Sequence, residues 1–396
     1  MLILHISDTH LGKRQYGQEF REQDVYNIFN QLIDTAIKEH VNAIIHTGDF
    51  FDVYEPPNRA ELEAVRALKR LEKHSIPFIA IAGDHDTPKR ADARYPQELL
   101  SELGLIKFLH ARTEIKYTIG DVEIYGISHV PTLYKDKLRL KMLSIKPESR
   151  KSILMLHQGI KEILPYEGSW QIMKNDLPKE LKYYACGHIH DRTLEYLDGG
   201  RILEIAGSPD IMREEEINGY QKNGKGATLI DFSKDQPEVQ FINLDIRPQI
   251  VEVIDTTKLE DEIKRVSEKL RQFKERPLLH IILKGITIPK DHLNKKLETL
   301  NHYASLVRIF KDETKIQQMK NIEMPSDTTL DNLILEYLTK TEGFTKDEAE
   351  IILDMIRHAD DKEYVGKQLR KMLGIIDGKE ERQQTETKTE KKNTWW

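Results

Sequence analysis

Cysteine is almost absent from this 396-residue chain: Cys186 is its one example. A lone thiol excludes an internal disulfide framework and fits a reducing compartment. Long hydrophobic runs are missing too, and nothing approaches the roughly 20 residues of a membrane span. The first residues enter a strand pattern directly, so no signal peptide is expected and a cytoplasmic location is. Neither sign of charge dominates: 60 Lys and Arg against 66 Asp and Glu leave a net charge of −6. That balance argues against a chain wrapped wholesale by polyanions, but leaves room for a local basic surface. With 39% hydrophobic and 32% charged residues, the composition is that of a highly charged globular protein, long enough for two or three cores.

What is present is a repeated grammar of an apolar strand whose tip carries Asp or His. Leu2–Ile6 runs into Ser7-Asp8-Thr9-His10, and Ala43–Thr47 into Gly48-Asp49. Pro77–Ala82 runs into Gly83-Asp84-His85-Asp86, and Tyr184–Cys186 into Gly187-His188-Ile189-His190. Ile153–Leu156 leads likewise into His157-Gln158-Gly159. In open α/β sheets ligands gather beyond the carboxyl ends of the strands, where these tips would lie.

Between the first three tips lie two helix-sized amphipathic segments. One carries Phe20, Val25, Ile28, Phe29, Leu32, Ile33 and Ala36; the other carries Leu62, Val65, Leu68 and Leu71 after Pro56-Pro57, with Asn58 as its expected cap. These read as two βαβ units with parallel strands. Short strands follow, including a hairpin about Gly120-Asp121, so the expected fold class is α/β: a two-sheet sandwich covered by helices. Pro131–Lys151 holds seven Lys and Arg against Asp136 and Glu148, which reads equally as a solvated helical face or as a strip for phosphate backbones.

A composition shift near Arg247-Pro248 introduces a small βαβαβ pattern, expected to cap or orient something bound by the first domain. Met324-Pro325 reads as a linker. Beyond it lie three apolar helical stripes, the second opening with the capping box Thr345–Glu348. About 50 residues cannot bury three stripes well alone, so part of that surface is expected to meet another protein. The polar, charge-balanced tail is expected to be disordered. Expected domains are thus 1–246, 247–324, 325–375 and a tail of 376–396.

Singly, none of the Asp or His residues is decisive; in this order, each after an apolar strand, they point to a metal cluster. Seven candidates emerge: Asp8, His10, Asp49, Asp84, His157, His188 and His190. Mixed carboxylate and imidazole suits Mn²⁺, Fe²⁺ or Zn²⁺. Seven ligands are too many for one ion and suit two that share a bridging carboxylate.

The motifs Ser7-Asp8-Thr9-His10-Leu11-Gly12, Gly48-Asp49, His157-Gln158-Gly159 and Gly187-His188-Ile189-His190 resemble those of calcineurin-like metallophosphoesterases. Within them, residues 1 to about 375 resemble the SbcD-type, or meiotic-recombination-eleven, nucleases of double-strand-break repair, in an archaeal form. The resemblance implies a metallophosphoesterase core with a capping domain and a C-terminal helical module. It implies that Asp8, His10, Asp49 and His190 hold one Mn²⁺, and Asp49, Asp84, His157 and His188 the other. His85 would orient the scissile phosphate or protonate the leaving oxygen. The implied activity is a DNA exonuclease and single-strand endonuclease acting on double-strand ends, single strands and hairpins, in a nucleoid-associated homodimer. The implied partner is an SMC-like coiled-coil ABC ATPase, docked through Leu330, Leu333, Tyr337, Ile352 and Ile356. Lys13, Arg14, Lys89 and Arg90 flank the motif loops and are candidates for DNA contact.

Two departures from the family pattern stand out. The usual Gly-Asn-His-Asp is Gly-Asp-His-Asp here, adding a charge at Asp84, and Asp52 stands where some members have a second His. Any DNA-end role of that His does not carry over. The alternatives are a phosphomonoesterase or cyclic-nucleotide phosphodiesterase on the same core, and a DNA-binding scaffold silenced at Asp84.

Overall fold

A computed structural model describes residues 1–90, 92–315 and 329–373. The chain divides into two compact units, Met1–Ile316 and Gln317–Trp396.

The first unit is built on two six-stranded sheets. In the first, β1 (Leu2–Ile6), β2 (Ala43–Thr47), β3 (Phe78–Ile81) and β4 (Lys107–Phe108) run parallel, in the order of the chain. The two crossovers are α1 (Glu19–Lys38) and α2 (Asn58–Lys73), as the sequence pattern predicts. A third helix, α3 (Pro96–Glu102), precedes β4.

The second sheet has β5 (Lys116–Ile119) paired with β6 (Val122–Ile127) in the expected hairpin. After α4 (Lys135–Leu143) come β7 (Lys151–Leu156) and β8 (Tyr183–Cys186), both parallel to β6. β9 (Thr193–Leu197) and β10 (Arg201–Ile205) complete it. After α5 (Ile217–Asn223), β11 (Gly226–Asp231) and β12 (Glu238–Asn243) return to the first sheet, β11 antiparallel to β1 and β12 antiparallel to β11.

The period of two along each strand decides what is buried where. Ile3, Ala43, Ile45, Ile79 and Ile81 point at the second sheet and pack on Val122, Ile124, Ile153 and Met155. Leu4, Ile6, Ile44, Phe78 and Ala80 point the other way, onto Val25, Phe29, Leu32, Ala64 and Leu68 of α1 and α2. In register, Ile6 lies beside His46, Thr47 beside Ile81, and Leu156 beside Cys186. The strand tips therefore finish level at one edge of each sheet.

Two local expectations fail. Asn58 is the first residue of α2 rather than its cap; Pro57 holds the cap position, with no side-chain hydrogen bond. Leu62 is largely exposed, because the buried face of α2 is the alanine row Ala60, Ala64 and Ala67 with Leu68 and Leu71.

The segment after Arg247 is a three-stranded parallel sheet of β13 (Gln249–Asp255), β14 (Leu278–Lys284) and β15 (Leu306–Asp312), crossed by α6 (Leu259–Leu270) and α7 (Lys290–Glu298). A polar seam fastens it to the core within the first unit. Arg247 grips Asp24 through two bonds of 2.6 and 2.9 Å, and Arg21 bonds Asp24 at 2.7 Å and Asp210 at 2.6 Å. The Gln249 amide donates to Gln15 Oε1 at 3.0 Å, and Arg308 pairs with Glu214 while covering the Tyr16 ring at 4.2 Å.

Four of the seven basic residues of Pro131–Lys151 are ion-paired. Arg139, Lys146, Arg150 and Lys151 pair with Asp176, Glu180, Asp235 and Asp121.

The second unit holds α8 (Leu330–Lys340), α9 (Lys346–Arg357) and α10 (Lys362–Met372). The predicted capping box forms: Thr345 Oγ1 accepts from the Glu348 amide while Glu348 accepts from the Thr345 amide. Leu338, Ala349 and Leu353 are buried; Leu333 and Ile352 are half-buried; Leu330, Tyr337 and Ile356 are exposed. The expected linker at Met324-Pro325 and the tail 376–396 lie outside the described residues. No helix among the described residues is long and apolar enough to cross a membrane.

Candidate metal centre

The level strand tips bring all seven candidates into one cluster. Two triads form, Asp8 with His10 and His190, and Asp84 with His157 and His188, the ligand atoms of each lying within 4.8 Å of one another. Asp49 lies between them, its Oδ2 3.8 Å from His10 Nε2 and 3.4 Å from His157 Nε2.

The backbone makes this crowding possible. Asp8, His10, Asp49 and His188 all sit at positive φ, from 45° to 76°, a region non-glycine residues seldom adopt. The loop after β1 zips onto the loop after β2: the Asp8 amide donates to Gly48 O at 3.0 Å and the His10 amide to Asp49 O at 3.0 Å. Gly187 admits no side chain, since a Cβ there would strike Ser7 Oγ and the Thr47 carbonyl.

Neighbouring groups fix which ring nitrogen faces the centre. His157 Nδ1 lies 2.7 Å from the Thr47 carbonyl, which can only accept, so Nδ1 carries the proton and Nε2 turns inward. There Nε2 meets Asp84 Oδ1 at 3.1 Å. His190 Nδ1 is 2.7 Å from Glu216 Oε1, leaving Nε2 to face His10 Nε2 at 3.2 Å. Such outer partners raise ligand basicity and lock ring orientation.

The carboxylates and imidazoles of the site are strongly coupled. Burial alone would push the Asp49 carboxyl up, yet His157 and His10 hold it well below the usual range. Asp84 behaves the same way: against burial, its bonds to His157 and His188 hold it far down. For His157, burial opposes protonation, but Asp49 and Asp84 draw its affinity for a proton well above the ordinary value. The inward nitrogens of His10 and His190, 3.2 Å apart, can share one proton between them or both turn their lone pairs to one cation. Carboxylates and imidazoles so arranged fit divalent transition metals.

His85 lies beside this set. Its Nδ1 is held at 2.7 Å by the Asp52 carbonyl, so Nε2 is the free nitrogen, and its ring meets that of His10 edge-on at 4.7 Å. His85 can also be grouped with Asp49 and Asp84, or with His10 and Asp52, at ligand spacing.

The flanking basic residues are mostly paired. Lys13 bonds Asp52 at 2.9 Å, Arg14 lies 3.1 Å from Glu22, and Arg90 bonds Glu55 at 2.6 Å, while Lys89 is exposed.

Several participants escape a reading of the sequence. Glu216 holds His190 and is matched by the buried Lys225 at 2.5 Å; no strand tip announces either. Burial would raise Glu216, but His190 and Lys225 keep it well below the usual glutamate range. Asp52 stands 3.2 Å from His10 Nδ1, off the hydrogen-bonding direction; burial would raise it, and His10 and Lys13 pull it down to about 2. Asp86 accepts from the amides of Gly83, Phe50 and Phe51, stitching two loops together; burial and the Asp49 charge push it up to about 6. His129 stands 6.2 Å from His157 and 6.0 Å from His188, kept neutral by burial and its imidazole neighbours, its pKa lowered to about 4. The signal for His129 was available, for it too follows an apolar strand, β6.

Comparison with known proteins agrees with this geometry. Residues 1–192 match the model of the calcineurin-like phosphoesterase family. A DNA double-strand break repair protein Mre11 of Sulfurisphaera tokodaii is 57% identical over 94% of this chain and 97% of its own. The chain belongs to the Mre11 family. The Mre11 of Sulfolobus acidocaldarius is 51% identical over 95% of this chain and all of its own, and that of Methanococcus maripaludis 30% identical over 86% and 91%. Metallophosphoesterases of this kind use a dinuclear metal centre.

Proposed function

We propose that this chain is a manganese-dependent DNA nuclease of double-strand-break repair, cutting from ends as an exonuclease and within single strands as an endonuclease. The observation that carries the reading is the convergence of two ligand triads about Asp49 at five strand tips, in a member of the Mre11 family. Asp8, His10, Asp49 and His190 would hold one Mn²⁺, and Asp49, Asp84, His157 and His188 the other. When bound, such a pair draws in the phosphate and readies a water for in-line attack.

The chain's own residues do the remainder. Glu216 and the Thr47 carbonyl keep His190 and His157 turned inward. The Asp52 carbonyl fixes the His85 tautomer, so that Nε2 can meet the scissile phosphate or pass a proton to the departing oxygen, a contribution of about 10²–10⁴ in rate. Asp84, ionised between two imidazoles, serves as an oxygen ligand in place of the usual Asn. Lys13, Arg14, Lys89 and Arg90 border the pocket's loops; Lys89 is the one of them exposed without an ion-pair partner among the described residues. The sheet of β13–β15 caps the core and helps orient DNA. The second unit docks an SMC-like coiled-coil ABC ATPase through Leu330, Leu333, Tyr337, Ile352 and Ile356, and the nuclease works as a nucleoid-associated homodimer.

The test is digestion of end-labelled duplex, single-stranded and hairpin DNA with and without Mn²⁺. The native protein should cut with Mn²⁺ and not after chelation. His85→Ala should lose at least a hundredfold in rate while still taking up two Mn²⁺. Faster turnover of an aryl phosphomonoester than of DNA would favour the phosphatase alternative instead. Leu333→Asp with Ile352→Asp should abolish co-purification with the ATPase; retained co-purification sinks the docking assignment.

A further inference from the structure

The pocket in front of the triads has a volume of about 450 Å³ and two walls of different chemistry. One wall is the metal cluster with His85. The other is formed by Leu164, Tyr166 and Arg213, with Glu215 nearby. We infer that Tyr166 and Arg213 form a nucleotide-holding wall, the ring stacking on an unpaired base and the guanidinium holding the phosphate next to the scissile one.

Three observations carry this. Tyr166 is 72% exposed, an unusual position for a ring that has no packing partner to gain there. Its loop is nonetheless well fastened. Ser169 Oγ donates to the carbonyls of Tyr166 at 2.6 Å and Leu164 at 3.1 Å. At the base of the loop, Lys161 bonds back to Ile172 at 3.0 Å, and Trp170 is covered by the ammonium groups of Lys135 and Lys161 at 5.1 and 4.9 Å. The exposed ring is therefore presented by a closed loop.

Among the described residues, Arg213 is the only Lys or Arg lining the pocket. It is exposed and, among the described residues, has no carboxylate partner, whereas Lys13, Arg14 and Arg90 are all paired. It is fixed at its base, for the Arg213 carbonyl accepts from the Glu216 amide, placing it three residues from the carboxylate that orients His190. Beyond the ligand candidates and His85, the pocket's charged lining is Asp191, Glu215 and Glu216, which repel a phosphate, and Arg213, so the unpaired guanidinium is where a flanking phosphate would be held.

Stacking needs a base freed from its partner, because a paired base offers its face only to its neighbours in the helix. The wall therefore selects unpaired nucleotides: single strands, frayed ends and hairpin loops, over uniform duplex and over small phosphodiesters that have no base. This inference rests on the nuclease reading and names which DNA the site prefers.

The experiment compares native protein with Tyr166→Ala, Tyr166→Phe, Arg213→Ala and Arg213→Lys. One arm measures binding of a single strand carrying 2-aminopurine, by its fluorescence, in Ca²⁺. The other measures kcat/KM in Mn²⁺ for that strand and for bis(p-nitrophenyl) phosphate. Tyr166→Ala should weaken strand binding about tenfold, as stacking on aromatic side chains does, and remove the fluorescence quench. It should lower the ratio of strand to diester kcat/KM by a similar factor, with Tyr166→Phe restoring both. Arg213→Ala should lower the same ratio and reduce the salt dependence of binding by about one phosphate contact, which Arg213→Lys restores in part. If the alanine variants leave the ratio and the quench at native values, the wall is not a nucleotide site, whatever the enzyme cuts. If the native protein hydrolyses the diester but no DNA, the nuclease reading fails and takes the wall with it.

Discussion

At the scale of single residues, the centre depends on atoms that never touch a metal. Glu216→Gln would leave His190 without its carboxylate and Lys225 without its charge partner. Loss of such an outer partner weakens metal binding by about 10–100-fold, and titration calorimetry with Mn²⁺ should find that loss. Asp84→Asn removes one charge from between His157 and His188. It should lower Mn²⁺ affinity by about tenfold while DNA cleavage persists, since the amide oxygen remains a ligand. Abolished cleavage would show that the carboxylate does more than hold a metal. Gly187→Ala would drive a methyl group into Ser7 Oγ and the Thr47 carbonyl, so a fall in stability of about 1–3 kcal/mol should appear in thermal melts, together with weaker metal uptake. The seven candidates were legible in the sequence because each ends an apolar strand, and that local pattern survives folding. Glu216 and Lys225 were not legible, because their roles arise only when a turn remote in sequence arrives beside His190. Asp52 could be read as a departure from a family pattern, but its bond to Lys13 and its approach to His10 could not.

At the scale of elements, the capping sheet is tied to the core by the seam of Arg21, Asp24, Arg247 and Gln249, beside an apolar cluster in which Val251 packs with Ile28, Ile211 and Ile217. Asp24 receives bonds from both Arg21 and Arg247 and is almost wholly buried. Asp24→Asn would take one carboxylate from each of two guanidinium groups, Arg21 keeping Asp210 and Arg247 keeping Glu275, and loss of such charged hydrogen bonds costs about 1–3 kcal/mol. Urea unfolding should report that loss, with the β13–β15 sheet gaining hydrogen-exchange rate before the sandwich does. His280 on β14 belongs to the same seam, facing Arg308, Glu214, Arg21 and the Tyr16 ring. Burial first, and then Arg308, lower its pKa to about 4 from an ordinary value of 6.5. The folded state thus resists protonation that the unfolded chain accepts. The stability it contributes is complete above pH 6.5 and is lost as pH falls toward 4. His280→Asn should flatten the change in urea midpoint between those two pH values relative to the native protein. The strands, crossovers and capping box could be predicted from periodicity. The exposed Leu62 could not, because an alanine face close to α1 competes with a leucine stripe for the same side of α2. For the basic segment of Pro131–Lys151 the sequence left two readings open, and the partners Asp176, Glu180 and Asp235 that pair with part of it come from other parts of the chain.

At the scale of the whole molecule, the sandwich brings the carboxylates of Asp8, Asp49 and Asp84 together at one edge, and cation binding should stabilise the folded chain. At a free Mn²⁺ concentration of about 100 Kd the gain should be about 2.7 kcal/mol per site, visible as a rise in melting temperature that chelation reverses. A melting temperature indifferent to Mn²⁺ and to chelator would contradict the metal assignment as a whole. The four ligand candidates in left-handed backbone carry a consequence for timing. Each such residue is disfavoured by about 1–2 kcal/mol in a free chain. Those dihedrals are tolerated only where the loops zip together and both layers have closed beneath them. Nascent chains leaving the ribosome should therefore have little appetite for manganese, and loading becomes a receipt issued only to molecules that have finished folding.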